Sequence, residues 1–309
     1  MLQRILTHKS PSPLYALTGL KRQEFDALLV SFSDAYRQQE KARWKSKVRR
    51  REPGGGRKGA IPTAAEKLLF SLFYVRHYPV QRVQAVLFGM VQGQSWEWIH
   101  RLLPILEEAL GRKLALPERK GATLEDLLAQ CPELECLVDA TERPRSRPKD
   151  SEEQRRYYSG KKKRHPVKNT LVTDVPGRRV IYLGRRVEGK RHDKALVEED
   201  DPPFPAGSRI AADSGYQGWK VEGAEVRTPH KKPHKRELSV EQKEATRKLS
   251  QRRVRVEHAI AGVNCHRLVK DVYRGRREGF ADQAMVVAVG LYNFKSHQRD
   301  LARPMQSDR

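Results

Sequence analysis

Apolar residues recur at helical spacing through the first part of the chain. Phe25, Leu28, Leu29, Phe32 and Tyr36 fall on one face of a helical repeat, which predicts an amphipathic helix over about 21–41. A strongly basic stretch follows at 41–51. Glu52-Pro53-Gly54-Gly55-Gly56 then reads as a linker. Thr63-Ala64-Ala65-Glu66 has the form of a capping box. The helix after it, to about Tyr78, is apolar nearly all round and is expected to be buried. Pro79 suits the opening of another helix that turns Val80, Val83 and Leu87 inward and stops at Gly89. Ser95 is placed to cap a third, with Ile99, Leu102, Leu103 and Leu106 inside and a kink at Pro104. Two short helices joined by a tight turn resemble a helix-turn-helix, in which Gln94, Trp96, Glu97 and His100 face a DNA groove. The same spacing suits an ordinary three-helix bundle.

The pattern changes near residue 134. Short β-rich runs appear at 134–140, 167–173, 180–187, 209–212 and 224–228, with a turn signal at Pro176-Gly177 that predicts a hairpin between the second and third. One short helix, at 193–199, lies among them. Ser239-Val240-Glu241-Gln242 is a second capping box and opens a long helix to about Val263; a last helix is expected over 281–297. Strands followed by helices indicate a mixed α/β domain. The organisation expected is a basic amphipathic segment (1–51), a linker (52–62), a helical region (63–130), an α/β domain (131–300) and a tail (301–309).

Charge narrows the partner. The 309 residues carry a formal net charge of +24. Such an excess raises the local concentration of a polyanion, which makes nucleic acid the first candidate and an anionic membrane surface the second. No apolar run is long enough to span a bilayer, so no membrane role is expected. The three cysteines, Cys131, Cys136 and Cys265, form no CxxC pair and suit a reducing cytosol; buried thiols explain them more simply than a zinc site built on Cys265-His266.

Two strands end alike. Leu137-Val138 leads to Asp139, and Ile210-Ala211-Ala212 leads to Asp213, each aspartate being followed by small residues. A carboxylate there sits at the mouth of a sheet, where ligands of α/β proteins bind. Aspartate also ends strands simply to cap the next turn. Glu257 borders the inward face of the long helix, where Arg253, one turn back, offers it a partner. Three converging carboxylates suit Mg²⁺ or Mn²⁺, and two such ions clamp an in-line phosphoryl displacement. Between the two aspartates lies a dense basic segment, including Lys161, Lys162, Lys163 and Arg164, with Tyr157 and Tyr158 among the cations. This mixture suits distorted or single-stranded DNA.

These segments resemble a known group. Leu137-Val138-Asp139-Ala140-Thr141-Glu142-Arg143-Pro144 is similar to the first-aspartate motif of insertion-sequence transposases of family five, and Tyr158-Ser159-Gly160-Lys161-Lys162-Lys163-Arg164-His165 to their basic segment. Ala212-Asp213-Ser214-Gly215-Tyr216-Gln217-Gly218 resembles the second-aspartate motif, Arg255-Val256-Glu257-His258-Ala259-Ile260 the glutamate helix, and Leu291-Tyr292-Asn293-Phe294 part of the closing segment. Pro166, where the family usually has threonine, and Asn264-Cys265, where a basic pair is usual, depart from the pattern. The resemblance implies an RNase H-like fold and a DDE triad of Asp139, Asp213 and Glu257 as catalytic metal ligands, with two Mg²⁺ or Mn²⁺ ions. It also implies cleavage at terminal inverted repeats of double-stranded DNA and joining to target DNA. Lys161, Lys162, Lys163, Arg164, Arg253 and Arg255 are expected near DNA, and His192 and Asp193 as supporting residues. Joining two element ends argues for a homodimer or higher oligomer. A nuclease that cuts without joining, or a regulator that uses only the helix-turn-helix, are the alternatives.

Overall fold

A computed structural model describes residues 2–45, 59–119, 135–160, 162–175, 178–202, 204–231, 237–275 and 277–302. The chain divides into two compact units. The expected linker glycines 54–56, the turn at 176–177, Cys131 and Lys161 lie outside the described residues.

The first unit comprises Met1–Leu116, Cys265–Val269 and Arg277–Arg309 and is helical where described. It contains α1 (Ser12–Thr18), α2 (Arg22–Lys45), α3 (Ala64–His77), α4 (Gln81–Phe88) and α5 (Gln92–Gly111). The capping box forms as expected: the Thr63 hydroxyl accepts from the Glu66 N–H at 3.1 Å and Glu66 Oε2 accepts from the Thr63 N–H at 2.8 Å. Behind it α3 is buried continuously from Lys67 to Val75. The one charge in that run is satisfied locally, since Lys67 Nζ donates to the carbonyls of Ile61 and Pro62, each at 2.8 Å. It also lies 4.9 Å from the centre of the Tyr36 ring.

Two helices differ from their expected faces. In α4, Gln84, Ala85 and Phe88 are buried, whereas Val80 and Val83 are exposed and Leu87 is half-buried. The inward face is set by Phe88, whose ring packs against those of Phe70 and Phe73 at 4.9 and 5.8 Å, and Gln84 on the same face donates from Nε2 to the Phe70 carbonyl at 3.2 Å. Helix α5 starts at Gln92, not beside Ser95, which is buried within it. The cap comes from Gln94, whose Oε1 accepts from the Val91 N–H at 3.3 Å. The last helix, α9 (Phe280–Leu301), was expected in the α/β domain but packs within the helical unit. Gly290 permits this, because a Cβ there would stand 2.8 Å from a Leu116 methyl and 3.1 Å from a Leu110 methyl.

The second unit, Pro117–Asn264 with Lys270–Arg276, is mixed α/β. Its strands are β1 (Glu135–Pro144), β2 (Pro166–Asp174), β3 (Val180–Leu183), β4 (Val187–Glu188), β5 (Arg209–Ala211) and β6 (Glu225–Arg227). The sheet order is β3-β2-β1-β5-β6, with β4 also on β2. β1–β2 and β2–β3 are antiparallel, while β1–β5 and β5–β6 are parallel. The expected strand at 180–187 is interrupted, its two ends becoming β3 and β4. Helices α6 (Ser151–Tyr157), α7 (Asp193–Asp200) and α8 (Val240–Val263) complete the described elements that matter for the site. Cys136, Val138, Ile210, Val197, Phe204, Tyr216 and Trp219 form the core on one side of the sheet. By strand alternation Glu135, Leu137 and Asp139 face the other side. Arg252 on α8 reaches Glu135 there at 3.3 Å, and α8 buries Val256, Ala259 and Val263.

The observed face of α4 predicts unequal costs. Phe88→Ala should lose roughly 3–5 kcal/mol by emptying a core position. Val83→Ala should stay within about 0.5 kcal/mol. Denaturant unfolding of the two variants checks this; a large loss at Val83 would restore the face expected from spacing.

Candidate active site

Parallel pairing of β1 with β5 brings the two aspartates to one region, since Leu137 stands beside Ala211 in the register and each aspartate follows two residues later. Asp139 lies within β1, with Oδ1 accepting the Ala140 N–H at 2.8 Å. Asp213 follows β5 and caps the short turn Ser214–Tyr216, its Oδ1 accepting from Ser214 at 2.6 Å. The same oxygen accepts from Arg253 Nη1 of α8 at 3.0 Å. Asp213 therefore does the ordinary strand-end capping and also joins a charged cluster.

Burial pushes the Asp139 carboxyl up to about 6; the Ala140 N–H and Arg253 oppose the rise, and the charges of Asp213 and Asp193 reinforce it. Asp193, the first residue of α7, accepts from Lys168 Nζ at 2.8 Å. Lys168 is itself buried on β2 and lies 3.3 Å from Glu142. Neither Lys168 nor the closeness of Asp193 to the aspartate pair was evident from the sequence. Both depend on the β1–β2 register, and only the family-like "His192-Asp193" segment hinted at the second. Beneath the acids, the Tyr216 hydroxyl is buried without a hydrogen-bond partner, and burial followed by the charges of Asp139, Asp193 and Asp213 drives its pKa upward.

Glu257 sits on α8 one turn beyond Arg253, exposed, and makes no hydrogen bond or ion pair among the described residues. The partner that spacing offered it, Arg253, goes to Asp213 instead. Thus Asp139, Asp213, Asp193 and Arg253 share one electrostatic cluster, whereas Glu257 flanks it. Among the described residues no three His, Cys, Asp or Glu side chains are grouped closely enough to hold a metal ion as they stand. The donor chemistry nonetheless suits a hard divalent cation: carboxylate oxygens only, one of them raised by burial, with an orphaned hydroxyl beside them.

The other expected contacts are dispersed. His192 is exposed and precedes α7 as its backbone cap. Arg255 donates to the Val175 carbonyl at 3.1 Å. Lys162, Lys163 and Arg164 are exposed. In the helical unit, Gln94, Trp96 and Glu97 are exposed on α5. His100 is half-buried, its ring 4.6 Å from that of Trp96 and 4.6 Å from that of Phe280.

Two family models match the chain. The family model described as DDE superfamily endonuclease matches residues 138–293, and one described as helix-turn-helix of DDE superfamily endonuclease matches 63–112. The chain is 29% identical over 281 residues to the probable transposase for insertion sequence element IS702 of Microchaete diplosiphon, covering 90% of this chain and 92% of that protein. It is 25% identical over 277 residues to the putative transposase for insertion sequence element IS112 of Streptomyces albus G, covering 86% and 89%. No solved structure matches the chain significantly.

The raised pKa of Asp139 has a stability consequence in metal-free protein. The folded state holds a proton to about pH 6 that the unfolded chain releases near 3.8. Stability is therefore greatest below the unfolded pKa and falls as pH rises through the folded one, by an amount on the order of 3 kcal/mol. Asp139→Asn keeps the shape without the charge. In EDTA its thermal midpoint should match wild type near about pH 4 and exceed it above about pH 7. A wild type no less stable than the variant at the higher pH contradicts the buried-charge assignment.

Proposed function

Because the chain belongs to the DDE superfamily endonucleases, we propose that it is a transposase that cuts DNA at terminal inverted repeats and joins the freed 3′-hydroxyl ends to target DNA. The observation that carries this reading is the convergence of Asp139 and Asp213 at neighbouring strands, with Asp139 raised to about 6, beside a helix that carries Glu257, unpaired among the described residues.

Asp139, Asp213 and Glu257 would hold Mg²⁺ or Mn²⁺, two ions per site. Bound there, the metal supplies activation of the attacking water or 3′-hydroxyl and stabilisation of the leaving oxygen. Arg253 keeps the Asp213 carboxylate oriented through its 3.0 Å hydrogen bond. Lys168 holds Asp193 at 2.8 Å and so restrains the acid nearest the pair without leaving its charge uncompensated. No side-chain nucleophile is required. The region 63–130 serves as the helix-turn-helix DNA-binding part, its exposed Gln94, Trp96 and Glu97 facing the duplex, and the catalytic part begins near 131. Lys161, Lys162, Lys163, Arg164 and Arg255 contribute contacts to the DNA backbone. Two chains or more act together, since two element ends must meet, and the setting is the cytosol.

The test is cleavage and joining of the element's own ends. Wild type should act with Mg²⁺ or Mn²⁺ and stop in EDTA. Asp139→Asn, Asp213→Asn and Glu257→Gln should each lose roughly 10²-fold or more, the scale of removing one stabiliser of transition-state charge. Full activity in any of the three removes that residue from the triad.

A further inference from the structure

Beyond the end of β1 the α/β unit holds a cavity of about 1020 Å³, at the upper end of the size range of ligand pockets. Its wall carries Arg145, Arg147, Arg155, Lys163, Arg164 and Lys190, and no carboxylate. None of the six forms an ion pair among the described residues. Like charges around one void repel, so holding them there without compensating acids creates a strong local attraction for an anion.

The wall is built by backbone as well as by charge. Arg145 N–H donates to the His165 carbonyl at 3.3 Å, and Ser159 N–H to the Arg164 carbonyl at 2.8 Å. That short loop forces Lys163 to φ +50°, a region L residues seldom adopt. Arg147 is clamped onto Gln154 Oε1 at 2.7 Å. Tyr158 lines the same cavity and is 44% exposed, its ring 5.5 Å from that of His165. An open aromatic face inside a cationic cavity offers a base something to stack on while its flanking phosphates are neutralised. A base inside a paired duplex cannot use it, because both of its faces are already stacked.

We propose that this cavity receives an unpaired nucleotide of a DNA strand, its base on Tyr158 and its phosphates against Arg155, Lys163 and Arg164. The proposal rests on the reading of the chain as a DNA-cutting enzyme. It places strand separation several nucleotides from the acids: Arg145 lies six residues after Asp139 along an extended strand, roughly 20 Å, or about six steps of a DNA strand. The cavity thus selects ends whose bases are already free, or traps them as they open.

The experiment uses the full chain in EDTA, with a labelled oligothymidylate and a labelled, fully paired duplex of two strands as probes, read by fluorescence anisotropy. Tyr158→Ala should weaken oligothymidylate binding by at least about 5-fold, the loss of one base stack. The single-strand to duplex affinity ratio should fall with it, and Tyr158→Phe should restore it. Lys163→Gln should lower the salt slope for the single strand by about 0.7. The proposal is overturned if Tyr158→Ala binds oligothymidylate like wild type, or if it loses both probes by the same factor. Thermal midpoints equal to wild type identify the variants as folded. No strand is cut in EDTA, so the result stands apart from whether Asp139, Asp213 and Glu257 cleave DNA.

Discussion

Asp139 and Asp213 stand on neighbouring parallel strands, and the surrounding α/β unit is arranged around keeping these like charges side by side. Asp139 is buried enough to hold its proton to about pH 6. Asp213 is balanced by Arg253, whose side chain is only 11% exposed. Asp193 is balanced by a buried lysine. Each of these counter-charges arrives from a different element, α8 or β2, so the cluster exists only when the sheet and both helices are in register. Burying charge in this way costs stability, which a fold retains where the charge has a use. A divalent cation is a stronger solution to the same crowding than a guanidinium, because it meets several oxygens at once.

Much of this was legible along the chain. The two aspartates announce themselves because each closes an apolar run and is followed by small residues, a pattern that depends only on neighbouring positions. The capping boxes at Thr63 and Ser239 were equally readable, and both form. Partners separated in sequence were not. Arg253 sits four residues from Glu257 but pairs with Asp213, 40 residues away. Spacing on a helix identifies neighbours, and here a stronger partner across the sheet takes the guanidinium. The α4 face failed for a related reason: Phe88 packs against Phe70 and Phe73 of α3, a contact across helices that spacing within α4 does not reveal. α9 packs closely at Gly290 beside Leu110 and Leu116, a long-range contact that periodicity does not weigh.

The two halves of the chain divide the work that the family requires. The helical unit carries the match to a helix-turn-helix, with Gln94, Trp96 and Glu97 exposed on α5 and the His100 ring half-buried between those of Trp96 and Phe280. The α/β unit carries the acids and a cation-lined cavity at the far end of the same strand. Positive charge concentrates around the cavity, while negative charge concentrates around Asp139 and Asp213. Part of the basic segment between the first two acids, including Arg155, Lys163 and Arg164, lines a cavity.

The central claim is that Glu257, free on α8, completes a metal site with Asp139 and Asp213. Replacing Mg²⁺ with Fe²⁺ and generating hydroxyl radicals cuts the backbone beside a bound ion. The account predicts cuts in three separate segments, around 139, 213 and 257, all suppressed by excess Mg²⁺ and by Asp139→Asn. Cuts near 139 and 213 without any near 257, or cuts at none of them, would contradict it.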